Sequence, residues 1–258
     1  MSVMGSSPQT HSDPFYSRSN GRDYVASRQN GDSHRGAVVE RPRLFHGILP
    51  GDYTRIAAAA RVKEFARGEM LYIEGESVQQ VVLLTSGCVK NTHFGMGGTE
   101  VILKLSTPGD VLGAVGLVST GKHCTTAQAF RVCRALVWDA PAFKTLVERF
   151  PVLHQNMVAI LGQDLLELEE RFREVATERV GPRVARQLVR LREKIGQRVA
   201  GAIEIGLSRE ELAQMTGTTL FTVSRLLSAW EARGLVTLRR ESVTICDVQA
   251  LHAISDEK

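Results

Sequence analysis

The rhythm of apolar and polar positions changes several times along the chain. Residues 1–41 are rich in Ser, Gly, Asn and Asp with hardly any aliphatic positions, and they predict a disordered N-terminal arm. Leu44-Phe45-His46-Gly47-Ile48 and the run from Tyr53 to Ala60 predict a short helical lead-in. From Phe65 onward, short apolar runs are closed by glycine turns: Met70 to Ile73, Val81 to Leu84, Cys88-Val89, Val101 to Leu105, Val111-Leu112 and Ala127 to Trp138. Short, evenly spaced strands predict an antiparallel roll over residues 42–150, with a mouth suited to a small molecule. Asp139-Ala140-Pro141 then opens a helix with Phe143, Leu146 and Val147 inward.

A longer helix starts near Pro151 and fills residues 151–180. Val158, Leu161, Leu165, Leu168, Phe172 and Val175 recur there at steps of three and four, which is a heptad seam. Glu167, Glu169, Glu170, Arg171 and Arg173 charge the rest of that surface, favouring a narrow seam between two chains over packing within one. Val184 to Leu191 predicts a further helix.

The most informative pattern runs from Leu207 to Leu227. Ser208 followed by Glu211 is a capping box, and Leu212 and Met215 give the short helix it opens an apolar side. Gly217 stops that helix, because glycine reaches left-handed φ without steric cost. Thr218 or Thr219 caps a second helix, in which Val223, Leu226, Leu227 and Trp230 recur at helical spacing. Helix, glycine corner and second helix make a helix-turn-helix, with an ordinary core hairpin as the plainer alternative. Residues 234–238 and 242–245 flank Arg239-Arg240-Glu241 as a β-hairpin with a basic tip, which turns the motif into a winged helix over 181–250. Residues 251–258 read as a C-terminal tail. The fold class expected is α+β: a double-stranded β-helix, or β-roll, then a long dimerisation helix and a winged helix-turn-helix.

Composition narrows the partners. The net charge is only +4, and from Gly181 onward there are 12 Lys/Arg against 9 Asp/Glu. So small an excess fits a site-specific reader of double-stranded DNA better than a general nucleic-acid coat. No apolar run is long enough to span a membrane, and no signal peptide is visible, so the expected location is cytoplasmic and no membrane partner is expected. Cys88, Cys124, Cys133 and Cys246 are scattered without metal-ligand spacing, so no metal site is expected. No P-loop, HExxH or Ser/His/Asp order occurs, which argues against an enzyme and leaves no catalytic residue to name.

The order of parts resembles the CRP/FNR family of bacterial transcription regulators. The resemblance covers about Leu44 to Ile245 and rests on Phe65-Ala66-Arg67-Gly68-Glu69, Glu74-Gly75-Glu76, Gly87-Cys88-Val89-Lys90, Gly98-Thr99-Glu100, Gly109-Asp110-Val111-Leu112-Gly113 and Thr222-Val223-Ser224-Arg225. It implies a cyclic-nucleotide-binding-like roll, a homodimer, a palindromic operator, RNA polymerase as a partner and a small-molecule effector of unknown identity. In the family's cyclic-nucleotide binders a Gly-Glu-Leu turn and an Arg-Ser pair hold the ribose and the cyclic phosphate. Here the matching positions are Gly113-Ala114-Val115 and Cys124-Thr125, and Leu168 and Glu169 stand on the dimer helix where the base would lie. Without the carboxylate and the guanidinium, cyclic AMP is not the expected effector.

The oxygen-sensing branch needs cysteines ahead of the roll, and none precedes Cys88. No cofactor is therefore expected. A haem or thiol sensor is the alternative, using His93, His123, Cys88 or Cys124. Cys88 and His93 would point to opposite faces of one strand, and Cys124 reads as a small buried hydrophobe.

The resemblance also implies base contacts. Arg225 keeps a position able to fork onto guanine, whereas Phe221 replaces the family's glutamate and presents a ring suited to a thymine methyl. Ser224 and Leu220 share that face. Ser208, Arg209, Thr219 and Thr222 are the expected phosphate or base contacts near helix starts.

Overall fold

The computed structural model describes residues 42–199 and 201–257, so the expected N-terminal arm lies outside the described residues. A single 3-10 turn (Arg43–Phe45) and α1 (Pro50–Ala58) lead into eight strands: β1 (Arg61–Phe65), β2 (Met70–Tyr72), β3 (Gln80–Ser86), β4 (Val89–Phe94), β5 (Glu100–Ser106), β6 (Val111–Leu112), β7 (Thr126–Ala129) and β8 (Cys133–Asp139). They form two antiparallel sheets, ordered β1-β8-β3-β6 and β2-β7-β4-β5. The run Ala127 to Trp138 is thus two strands in different sheets, divided at Phe130-Arg131-Val132.

Strand alternation explains the layers. Along β8, Cys133, Ala135 and Val137 face inward with Val82, Leu84, Val89 and Ala129, while Trp138 faces outward. Val81 to Leu84 is continuously apolar because both faces of β3 are covered. The outer face meets Leu44, Phe45, Ile56, Phe143 and Leu153, delivered by the lead-in, α3 (Ala140–Arg149) and the start of α4 (Pro151–Thr177). Trp138 donates from its indole nitrogen to the Ile56 carbonyl at 2.9 Å, which fixes α1 on the sheet. Sequence reading did not find α2 (Ala114–Val118), a short helix set in the loop after β6.

α4 stops for a local reason. Glu178 and Arg179 are extended, and Pro182 sits in the first turn of α5 (Val180–Ile195). Had the helix continued, Pro182 would have lacked the N–H for the Glu178 carbonyl and its ring would have struck that oxygen. Arg183 donates to this carbonyl instead, at 2.9 Å. Beyond α5 come β9 (Gln197–Val199), β10 (Ala202–Ile205), α6 (Arg209–Thr216), α7 (Leu220–Ala232), β11 (Val236–Arg239), β12 (Ser242–Ile245) and α8 (Val248–Ser255). The third sheet has the order β11-β12-β10-β9, so the wing hairpin gains two strands that sequence reading missed.

Residues 251–255 are not a tail but the end of α8. Leu251 is fully buried and Ile254 nearly so in the C-terminal core, and the Asp247 carboxylate caps the helix. Cys88, Ile102, Leu105 and Phe130 from the roll belong to the same apolar cluster as Leu188, Leu212 and Val223. Gln214 donates to Glu100 at 3.2 Å, and Arg67 pairs with Glu241 at 3.1 Å. The winged helix is therefore docked on the flank of its own roll.

Candidate nucleic-acid interface and sensor cavity

The helix-turn-helix is built by the local chemistry its sequence implies. Ser208 Oγ accepts from the Glu211 N–H at 3.1 Å and the Glu211 carboxylate accepts from the Ser208 N–H at 2.7 Å. Gly217 ends α6 at φ 60°, the left-handed region. Of the two threonines, Thr219 is the cap: its hydroxyl accepts from the Thr222 N–H at 3.2 Å. Val223, Leu227 and Trp230 are buried and hold α7 in place, with Leu226 half-buried beside them.

The opposite face of α7 is left to solvent. Leu220 is 49% and Phe221 74% exposed, an unusual position for a large apolar ring on the first turn of a packed helix. The Arg225 side chain is exposed and forms neither a hydrogen bond nor an ion pair among the described residues; the same absence of bonds holds for the side chains of Arg209, Arg239 and Arg240. Thr219 and Thr222 bond one another at 3.0 Å, beside Ser224. Ser208 is differently placed: its hydroxyl is already engaged by Glu211 on both sides, which leaves it little capacity for a phosphate.

The second site lies in the roll. A cavity of about 230 Å³ is lined by Gly113, Val115, Cys124, Thr125 and Leu168, five of the six pocket positions expected from sequence. Ala114 is the exception: as first residue of α2 it turns into the core with Leu44 and Phe143. Gly113 itself has φ 82°, and a Cβ there would lie 2.7 Å from the Gln80 carbonyl oxygen, so this corner requires glycine.

One wall of the cavity is a ring pair. His123 stacks on Tyr72 with centroids 3.7 Å apart and planes within 4°. Burial holds the His123 imidazole below its usual pKa, against the opposing pull of Glu76, and burial pushes the Tyr72 phenol up to about 12. His123 and Tyr72 are thus both neutral near pH 7. Asn91, buried, donates to Ser106 Oγ at 2.9 Å. The cations that reach the cavity come from β5, α4 and α5 as Lys104, Arg171 and Lys194. None was visible in the sequence, because nothing short of the folded chain brings residues so far apart to one place.

The cysteines and histidines separate. Cys124 is exposed rather than buried, because it lies on the rim just ahead of β7 and not within the strand. Cys88 is buried, and burial pushes its thiol up to about 12, which disfavours a thiolate ligand. His93 Nδ1 lies 2.8 Å from the Glu74 carboxylate. Among the described residues no three His, Cys, Asp or Glu side chains converge as a metal site would require.

On α4, Val158, Leu165, Leu168, Phe172 and Val175 are 47–74% exposed, while Leu161 is half-buried. No described helix is long and apolar enough to cross a membrane.

Comparison with known proteins gives these sites a context. Residues 62–150 match a cyclic nucleotide-binding domain, and residues 182–254 match a Crp-like helix-turn-helix domain. The chain is 26% identical over 216 residues to a CRP-like cAMP-activated global transcriptional regulator of Mycobacterium tuberculosis, covering 83% of this chain and 96% of that one. It is 27% identical over 212 residues to the cyclic AMP receptor protein of Thermus thermophilus, covering 82% and 96%. The c-di-GMP responsive global regulator CLP of Xanthomonas campestris shares the fold, with a TM-score of 0.68 at 19% identity over 76% of this chain and 99% of that one. The chain belongs to the CRP/FNR family of transcription regulators.

Proposed function

We propose that the protein is a homodimeric, site-specific regulator that reads a two-fold symmetric operator through α7, and that its effector is not cyclic AMP. The observation that carries this reading is the solvent face of α7, where Phe221 is 74% exposed and the Arg225 guanidinium has no partner within the described chain. A guanidinium kept free on a capped helix suits bidentate contact with guanine, and an exposed ring beside it suits a thymine methyl. The bare apolar stripe on α4 supports pairing with a second copy, which sets two α7 helices about 34–36 Å apart for successive major grooves. Against cyclic AMP, Cys124 and Thr125 stand where the family's cyclic-nucleotide binders carry an Arg-Ser pair, and the cations that line the cavity, Lys104, Arg171 and Lys194, come from β5, α4 and α5 instead. In mechanism, a signal in the roll shifts α4 near Leu168 to Val175 and re-spaces the two recognition helices.

Selection from random duplex DNA tests this. The expected product is a single palindrome whose half-site differs at the base opposite Phe221 from that of relatives carrying glutamate there. Recovery of no symmetric sequence would overturn the reading. A thiol-sensing variant of the same regulator is favoured by one observation, the exposure of Cys124 at the cavity rim beside buried His123. Cys124→Ser would abolish any response of DNA binding to peroxide under that variant, and a haem band in the purified protein would redirect attention to His93 and His123.

A further inference from the structure

Arg183 lies in the first turn of α5 and is 8% exposed. Among the described residues its guanidinium meets only carbonyl oxygens. Nη1 donates to Glu178 at 2.9 Å and to Val175 at 3.4 Å, and Nη2 donates to Gly217 at 3.5 Å. Val175 and Glu178 mark the end of α4, and Gly217 is the corner of the helix-turn-helix. Arg186 and Arg190, further along the same helix, pair instead with the carboxylates of Glu174 and Glu178.

Burying a charge is costly, and well-packed apolar side chains commonly hold a core at least as well. What the guanidinium supplies here is geometry. The last carbonyls of a helix lack partners within it and carry the negative end of its dipole. A planar fork of donors answers two such ends at once, which a single ammonium point cannot. Arg183 Nε stays unbonded, so all the bonds of the side chain go to the ends of α4 and α6. The same elements also touch directly. A Cβ on Gly217 would lie 3.6 Å from a Val175 methyl, and one on Gly181 would lie 4.0 Å from Leu226 of α7. Val175 is the last position of the α4 seam and is 48% exposed. The seam therefore runs out against the corner that leads into α7.

We propose that Arg183 is a positioning residue for DNA recognition. By clamping the Gly217 corner to the end of α4, it sets the angle of α7 to the dimer axis, and so the half-site spacing that the dimer accepts. This rests on the reading of a homodimer on a two-fold symmetric operator. One added base pair moves a half-site by about 3.4 Å along the duplex and turns it by roughly a tenth of a revolution. An α7 held firmly on α4 tolerates one spacing, whereas a loosely held one tolerates several. Arg183 touches neither base nor phosphate in this role, so it leaves the fit of one α7 to one half-site unaltered.

Fluorescence-anisotropy titration of the full chain tests this with four duplexes. Three carry the selected half-sites at their native spacing, or with one base pair inserted or removed between them, and the fourth carries a single half-site. The native chain is expected to prefer its own spacing by more than about tenfold. Arg183→Lys, which keeps the charge without the fork, is expected to narrow that preference to less than about threefold. It should still bind the single half-site within about twofold of the native chain. Arg183→Met is expected to do the same, and the lysine variant alone decides if methionine prevents folding. A merely structural role predicts the opposite pattern: a lower melting temperature, every duplex weakened in proportion and the spacing preference intact. That result would overturn the proposal, as would a native chain indifferent to spacing. A native chain that selects no palindrome would instead overturn the DNA-binding reading, and this proposal with it.

Discussion

The two candidate sites are built in opposite ways. The recognition face of α7 comes from one stretch of chain, in which cap, corner and helical period act over three or four residues. The sensor cavity draws Tyr72, Lys104, His123, Arg171 and Lys194 from strands, helices and a loop spread over more than a hundred residues. A site made of short-range chemistry is written in the order of its residues. A site made by packing is not, since the order says only that a roll and a helix exist and leaves their mutual placement to the whole core. If this contrast is right, mutations of the exposed side chains of α7, Phe221 and Arg225, act on DNA affinity alone, whereas mutations near the cavity and the α4–α5 junction act on stability and coupling as well.

The largest effect tests the first half. Arg225→Ala removes a contact worth about 1–3 kcal/mol per half-site, and so about 2–6 kcal/mol for a symmetric operator. The expected outcome is loss of specific binding in a gel-shift titration with the melting temperature unchanged, because Arg225 is exposed and unbonded. A large fall in melting temperature would show that α7 is not the independent unit its local signals imply.

Next comes the junction of α4 and α5, where the two kinds of construction meet. Glu174, 5% exposed, receives both terminal nitrogens of Arg190 and also pairs with Arg186 at 3.5 Å. Breaking a buried pair from one side costs about 3 kcal/mol, because the remaining charges stay desolvated. Glu174→Gln is therefore expected to lower the urea midpoint clearly and to change the ratio of specific to non-specific DNA affinity. Unchanged stability would mean that α5 is held to α4 by its apolar face alone.

Much of the fold was legible, and the exceptions share a cause. The strand runs, the capping box, Gly217 and the α4 heptads all declare themselves by spacing. α2 and β9 did not, since Ala114–Val118 and Gln197–Val199 are too short to show a period. α8 looked like a tail because its helical signal, Leu251 and Ile254, spans barely one turn. Cys124 looked buried for want of knowing that β7 begins only at Thr126. In the candidate site, Phe221 and Arg225 were found by position in a motif, while Lys194 had no motif to belong to.

Smaller effects sharpen the local half. Thr219→Ala deletes the α7 cap and is expected to cost about 1 kcal/mol, read as a modest fall in melting temperature. Thr219→Ser should restore it, because any hydroxyl at that position accepts from the Thr222 N–H. Failure of serine to rescue would assign the loss to the methyl group instead.

The smallest expected effect tests the non-local half through protons. His123 is 6% exposed, stacked on Tyr72, and held by burial below its usual pKa. The unfolded chain then binds a proton more readily than the folded one, so stability rises with pH across the interval between the two pKa values. The contribution is complete above the unfolded value, near 6.5, and declines as pH falls below it toward the folded value. The melting temperature is expected to drop more between pH 7.5 and 5.5 in the native chain than in His123→Gln. The glutamine variant has no proton to gain in that interval, so the two curves should converge at the acid end. Curves that stay parallel would mean that the ring is reached by water in solution, and that the Tyr72–His123 wall does not close the cavity.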